Sequence, residues 1–463
     1  MHHRLPQEII DRIVSYLDRY PNQQDVPNIQ QQGVPPSALP PYATISAQFK
    51  EAVEFITFHR LRIGNDELDA FRAIVTQHRC KYVRRLAYTV LLPEYPQERG
   101  NCLETSEEQD ANNEVFTQSI ADLFSILRQW EHAGRVSNFR FHLKGPETSS
   151  DNMDSEKRWD NAHISLSDTE KIPKIASITY FQVEGNHRRT IPPSLSLQLL
   201  TLLPNVKHIY GDYNGDFVQS NHTTERLAFA STLHETRLPN NSVAMFDFHS
   251  EPPFDQREPT SSCLPPHARY DPFSASLRSF SQNLKTFILS AYIDSTLFWP
   301  SPHEPCPTPS WPSLRKLKLS FNPVAPSGEW YFDGTPRDAE DTQFLRHGNT
   351  HTLDPLLTAF ARATQCMPVL ETFMLECDIG HDVGFFEISW YAPGVRADWS
   401  LDWGEERAWD VRRLYYCVGE RWRSDGFVGE TLRGVGRERF GGEVREEFLG
   451  HRSWNSDRAW SWL

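Results

Sequence analysis

Apolar residues recur along this chain in two rhythms. Near the start they fall four apart, at Leu5, Ile9, Ile13 and Leu17, with Ile10 and Val14 widening the stripe. Asp11, Arg12, Ser15 and Asp18 supply the polar side, and the period is that of an amphipathic helix. Pro6 suits its first turn, and Glu8 complements the positive end of the helix dipole. A second stripe, Ile45, Phe49, Val53 and Phe58 with Ala52 and Ile56 at its flank, predicts another helix. Between the two, "RYPNQQDVPNIQQQGVPPSALPPYA" is rich in Gln, Pro and Asn and reads as loop. Residues 1–63 thus form a small helical unit, too short to build a large core alone.

The second rhythm occupies residues 64–380. Helical stretches alternate with strand-like pieces of one pattern: an apolar residue, two others, an apolar residue, one other, an apolar residue. Val83/Leu86/Tyr88, Val136/Phe139/Phe141, Ile175/Ile178/Tyr180, Leu284/Phe287/Leu289, Leu314/Leu317/Leu319 and Leu370/Phe373/Leu375 meet it. Val206 and Ile209 begin a seventh, which breaks at Gly211. The last two positions of each set share one strand face. Such a unit cannot bury its apolar side alone, whereas stacked copies give a continuous core. The expected fold class is α/β: N-terminal helices, then an irregular leucine-rich-repeat-like solenoid with parallel strands and outer helices joined by right-handed crossovers. The spacing of the units is uneven. Polar insertions such as "PEYPQERGNCLETSEEQDANN", "GPETSSDNMDSEKRWDNAH" and "NNSVAMFDFHSEPPFDQREPTSSCLPPHARYDP" read as surface loops.

Residues 381–463 change character. "FFEISWYAPG", "RRLYYCVGERW" and "EVREEFL" read as strands, and "SDGFVGETLRGVGRERFGG" as a Gly-interrupted helix. Eight of the chain's 13 tryptophans gather here, so this α/β tail is expected to cap the open end of the array. An aromatic recognition surface is the alternative.

Composition narrows the partners. Lys plus Arg number 47 against 61 Asp plus Glu, a formal net charge of −14 over 463 residues. So acidic a chain is poorly suited to phosphate backbones, and no nucleic-acid partner is expected. No apolar run reaches the roughly eighteen residues of a membrane span, and the N-terminus lacks a secretory pattern. The seven cysteines are scattered and odd in number, without C-x-x-C, which favours neither a disulfide framework nor a zinc site. The expected compartment is reducing, cytoplasmic or nuclear.

Catalytic chemistry is not visible. His347 and His351 in "RHGNTH" lie four apart, yet the intervening Gly348 and Asn349 argue for a loop rather than a metal-binding helix. "GEVREEF" and "GEERAW" read as solvated charged faces. There is no G-x-S-x-G, no Walker-type loop and no paired Cys/His, and "RGVGRERFGG" lacks the spacing of a dinucleotide fingerprint. A non-catalytic protein without cofactor or metal is expected.

The opening helices resemble the F-box. Leu5, Pro6, Glu8, Ile9, Ile13 and Leu17 carry the first half of the likeness, and Ser46, Phe49, Val53, Phe58, Leu61 and Ile63 the second. A Gln/Pro-rich insertion from Tyr20 to Pro41 departs from the family's short loop. With the array behind the box, the whole chain resembles fungal F-box proteins. The resemblance implies a substrate-receptor subunit of an SCF-type ubiquitin ligase, in which the box docks on the Skp adaptor and through it on cullin. The array would then hold an unknown protein substrate. It implies Leu5, Pro6, Ile9, Ile13 and Leu17 as adaptor anchors, with Phe49 and Val53 holding the box together or adding to the contact. Three alternatives stand beside it: a first helix that merely caps its own array, a scaffold that no longer recruits the ligase, and an enzyme built from the long insertions. Lys285, Thr286, Lys316 and Lys318 are outward positions between the apolar anchors. No Arg cluster is visible on the predicted strands, so nothing marks a surface that reads phosphate.

Overall fold

The computed structural model describes residues 6–19, 39–76, 78–134, 138–150, 158, 163–185, 191–213, 222–248, 255–304, 306–338, 340–380, 384–397, 410–417 and 426–449. Pro6 and Glu8 open α1 (Gln7–Arg19) as their positions predict. Ser46 accepts from the Phe49 N–H at the start of α2 (Ala47–His59), which satisfies one of the orphan donors of a helix end. α2 runs straight into β1 (Arg60–Gly64), and Phe58, Leu61 and Ile63 belong to the main core. Their spacing is that of the later strands, so the sheet begins inside the span assigned above to the helical unit.

Strands and crossovers then alternate: α3 (Leu68–Ile74), β2 (Arg85–Thr89), α4 (Ser106–His132), β3 (Phe139–Lys144), β4 (Ile178–Glu184), α5 (Pro193–Leu200) and β5 (His208–Asp212). Next come α6 (His222–Glu235), β6 (Ser242–Asp247), α7 (Pro272–Ser281), β7 (Leu284–Ala291) and β8 (Lys316–Phe321). A short antiparallel pair, β9 (Phe332–Asp333) and β10 (His347–Gly348), precedes α8 (Leu353–Thr364) and β11 (Thr372–Asp378). The described chain ends through β12 (Phe385–Tyr391), β13 (Arg412–Cys417), α9 (Gly426–Gly434), α10 (Arg437–Phe440) and β14 (Val444–Leu449). Apart from β9 and β10, the strands form one 12-stranded sheet whose spatial order is the chain order. Every neighbouring pair is parallel except the two made by β12. The fold is mixed α/β with a large, open, mostly parallel sheet. Among the described residues no helix is long and apolar enough to cross a membrane.

One face of this sheet is the core. Leu86/Tyr88, Phe287/Leu289, Leu317/Leu319 and Phe373/Leu375 occupy it as their spacing predicts, all nearly inaccessible. The helices pack against the same face: Phe124 of α4 lies 5.8 Å from Phe141, and Phe360 of α8 lies 5.0 Å from Phe373. Each such buried side chain contributes about 1.5–3 kcal/mol. Trp390 stacks on Phe373 and is fully buried, a core residue rather than a recognition surface. The other seven tryptophans of the tail lie outside the described residues.

Four expectations need correction. Around β3 and β4, Phe139, Phe141, Ile175 and Ile178 are buried as expected, but Leu86 pairs with Phe141 and Phe141 with Phe181, so the core side continues through Leu143, Phe181 and Val183, and Tyr180 is not part of it. The register shifts between Phe139 and Arg140, which leaves Thr179 of β4 as the extra residue of a bulge and turns Tyr180 to the opposite face. Secondly, the segment beginning "NNSVAMFDFHS" is no loop. It contains β6, whose Ala244 and Phe246 are buried. Asn241 fills its first-anchor slot at φ +66°, a left-handed turn that suits Asn and hides the apolar pattern. Thirdly, residues 222–235, given no element above, form α6, whose buried side carries Arg226 beside Phe229, Ala230 and Leu233 and so hides the apolar pattern. Finally, "LETSEEQDANN" supplies the first turns of α4. Thr105 N–H donates to Glu108 Oε2 at 2.9 Å and Glu108 N–H to Thr105 Oγ1 at 3.3 Å, a capping box.

Candidate functional site

Two surfaces deserve comparison, and the first is α1. Ile10 and Val14 are 2% and 0% exposed and pack with Leu39, Ala52 and Val53 into a small cluster separate from the main core. The Gln7 side chain donates to the Gln48 carbonyl at 3.3 Å, tying α1 to α2. Ile9 and Ile13, one turn apart, are 43% and 39% exposed. The stripe therefore has two sides, one already covered and one open. Of the residues that the F-box likeness assigns to the adaptor, Pro6 is exposed, Phe49 is half-buried against the small cluster, and Val53 is inside it. Leu5 and the Leu17 side chain lie outside the described residues.

The second surface is on the face of the sheet opposite the core. Arg60 of β1 pairs with Arg85 of β2, Arg85 with Arg140 of β3, Arg140 with Tyr180 of β4, and Tyr180 with His208 of β5. Each residue directly precedes a core residue of its strand: Leu61, Leu86, Phe141, Phe181 and Ile209. Parallel pairing holds them in one row. The arginines and His208 are exposed, and Tyr180 is half-buried. Arg85, Arg140, Tyr180 and His208, with His59, Arg84, Asn138, Phe139 and Thr179, line an open cleft of about 430 Å³, and Arg60 stands in register with Arg85 on the next strand. The Arg140 guanidinium lies 4.9 Å over the Tyr180 ring, which stacks on His208 at 6.0 Å. This Arg row corrects the expectation from sequence. The three residues are far apart in the chain, and the displaced frame of β3 concealed their common slot.

No carboxylate among the described residues lies within ion-pair distance of Arg60, Arg85 or Arg140. Burial, then Arg140 and Arg60, lower the pKa of Arg85. Burial, then Arg60, Arg84 and Arg85, hold His59 below its ordinary value. Burial, then Arg140, Lys207 and Lys285, do the same to His208. The two imidazoles are accordingly neutral near pH 7, and the positive charge is that of guanidinium. His59 Nδ1 is buried and has no hydrogen-bond partner among the described residues. Two residues further along the strands, carboxylates stand beside the basic side chains: His142 meets Glu184 at 2.7 Å, and Lys318 meets Glu376 at 3.3 Å. Thr286 and Lys316 pair on the same open face, as outward positions should.

Other polar clusters are structural. Asp271 caps α7 through the N–H groups of Phe273 and Ser274 and binds Arg226 at 2.5 Å. Asp294 beside it is pushed up to about 6 by burial first and by Asp271 next. These groups bind one another and the backbone, and they lock α6, α7 and the turn after β7. His347 sits in β10 and His351 in the following turn. Among the described residues no three His, Cys, Asp or Glu side chains are grouped to hold a metal ion.

Comparison with known proteins covers only part of the molecule. No curated protein matches the sequence. Residues 237–424 are similar to a family of unknown function, DUF6546. That match takes in β6 to β13, less than half of the chain, and leaves α1 and the basic cleft outside it.

Proposed function

We propose that this chain is a non-catalytic substrate receptor of an SCF-type ubiquitin ligase. Its F-box-like N-terminal helices dock on the Skp adaptor and through it on cullin. Its sheet, an irregular leucine-rich-repeat-like array, holds a target protein, and the protein works in the cytoplasm or nucleus. The observation that carries this reading is the open pair Ile9 and Ile13 on a helix whose other apolar side, Ile10 and Val14, is already packed. A helix serving only as an internal cap gains by turning all its apolar residues inward. One that keeps a second apolar side in water suits a partner's groove. The chain-ordered sheet supports the array, since each unit then stacks on its neighbours in sequence.

The test is co-expression of the full chain with the Skp adaptor, followed by size-exclusion chromatography. Co-elution is expected for the natural chain and its loss for the Ile9→Asp/Ile13→Asp variant, with an unchanged melting temperature because both side chains are exposed. A natural chain that elutes without the adaptor would move the scaffold alternative to first place.

A further inference from the structure

The basic cleft carries an inference that stands apart from the ligase reading. We infer that the start of the open sheet face, at Arg60, Arg85 and Arg140, binds a phosphate monoester. Three guanidinium groups stand in register on adjacent strands, in a chain whose net charge is −14. In-register side chains on neighbouring strands lie ~5 Å apart, where like charges oppose pairing. A surface serving solubility alone would interleave carboxylates, as the His142–Glu184 and Lys318–Glu376 pairs do on the same face.

The clustered positive charge suits an oxyanion. Guanidinium groups offer paired, planar donors that match phosphate oxygens, and they remain charged at every physiological pH. A phosphate monoester brings close to two negative charges and three acceptor oxygens at neutral pH. A single carboxylate, with one charge and two oxygens, would leave part of the trio unmatched. The Asn138 amide adds neutral polar groups to the wall. Tyr180, held against Arg140, supplies an aromatic wall for whatever carries the phosphate. At about 430 Å³ the cleft is larger than a phosphate and leaves room for that carrier. Two sources share this chemistry: a phosphorylated side chain of a protein, and a small soluble phosphate ester.

The experiment is calorimetric titration of the full-length protein with three probes. These are a glycine-flanked phosphoserine pentapeptide, its unphosphorylated twin, and phenyl phosphate. Binding of a phosphorylated probe but not of the twin is expected, weakening as salt rises. The Arg85→Ala/Arg140→Ala variant should lose at least tenfold in affinity while keeping its melting temperature. An Arg337→Ala control, away from the cleft, should lose nothing. A phosphopeptide at least tenfold tighter than phenyl phosphate assigns the site to phosphorylated protein, and equal affinities assign it to soluble esters. Either result supports the site. Silence from all probes, or binding that survives the double variant, overturns it. Should the alanine variant fail to fold, Arg85→Gln/Arg140→Gln removes the same charges with more of the packing retained. Adaptor binding does not enter these readouts, so failure here and failure of the ligase reading are separately visible.

Discussion

The sheet places the same residue pair in the same row at both of its ends, with opposite results. At one end Arg140 lies beside Tyr180, and at the other Arg413 lies beside Tyr391, all four on the face away from the core. Arg413 and Tyr391 are fully buried. Tyr391 and Tyr415 pack with Ala397 and Val395, and the Arg413 guanidinium donates to the carbonyls of Ala392 and Val395 at 2.9 and 2.5 Å. Arg140 is exposed, with Tyr180 as its ring contact. The difference lies in what the chain supplies above the face. After β12 it folds back and offers carbonyl oxygens, so the cation is spent on structure. Over β1 to β3 the described residues offer no acceptor of that kind, and the guanidinium groups remain available to a ligand. A buried Arg with matched acceptors is a clamp, whereas an exposed row without them is a candidate site.

The sharpest way to break this comparison is to truncate the two tyrosines. Tyr391→Ala should cost about 3–5 kcal/mol, as for a large buried ring, while Tyr180→Ala should cost about 1 kcal/mol or less. Denaturant titration of both variants decides the matter, and equal losses would mean that the two ends are packed alike. The arginines come next. Arg413→Ala strands two carbonyls and should cost about 2–4 kcal/mol, whereas Arg140→Ala should stay within about 0.5 kcal/mol of the natural chain.

The smallest effect is one of pH. Burial, then Arg60, Arg84 and Arg85, lowers the pKa of His59, and burial, then Arg140, Lys207 and Lys285, that of His208, so both have a lower pKa folded than unfolded. The folded state then binds fewer protons, and stability falls as pH drops below about 6.5. Thermal melts from pH 7.5 to 5 should show a shallow decline that His59→Gln/His208→Gln flattens.

Much of the architecture was legible because burial leaves a period in the chain. The apolar spacing at Leu284/Phe287/Leu289 and at Leu314/Leu317/Leu319 gave both the strands and their core face. It failed where the buried side contains something other than a hydrophobe. Arg226 disguised α6, and Asn241 at a left-handed turn disguised β6. Tyr180 failed differently: it is aromatic and in the expected slot, but a bulge at Thr179 of its own strand moved it to the other face. A slip of one residue reverses every side chain beyond it, and an apolar pattern does not report where its own strand bulges, because the bulge is set by pairing with the neighbour.

The amino-acid sequence by itself determined the helix at Gln7–Arg19, the alternation of helices and strands, and the apolar face of most strands. These follow from local periodicity, which each segment carries alone. Only the tertiary structure decided that Ile10 and Val14 turn inward while Ile9 and Ile13 stay open, because that choice depends on where α2 sits. It also decided that Arg60, Arg85 and Arg140 stand side by side. Their alignment arises from parallel register across three strands and the crossovers between them, and no local pattern encodes a distance between residues so far apart in the chain.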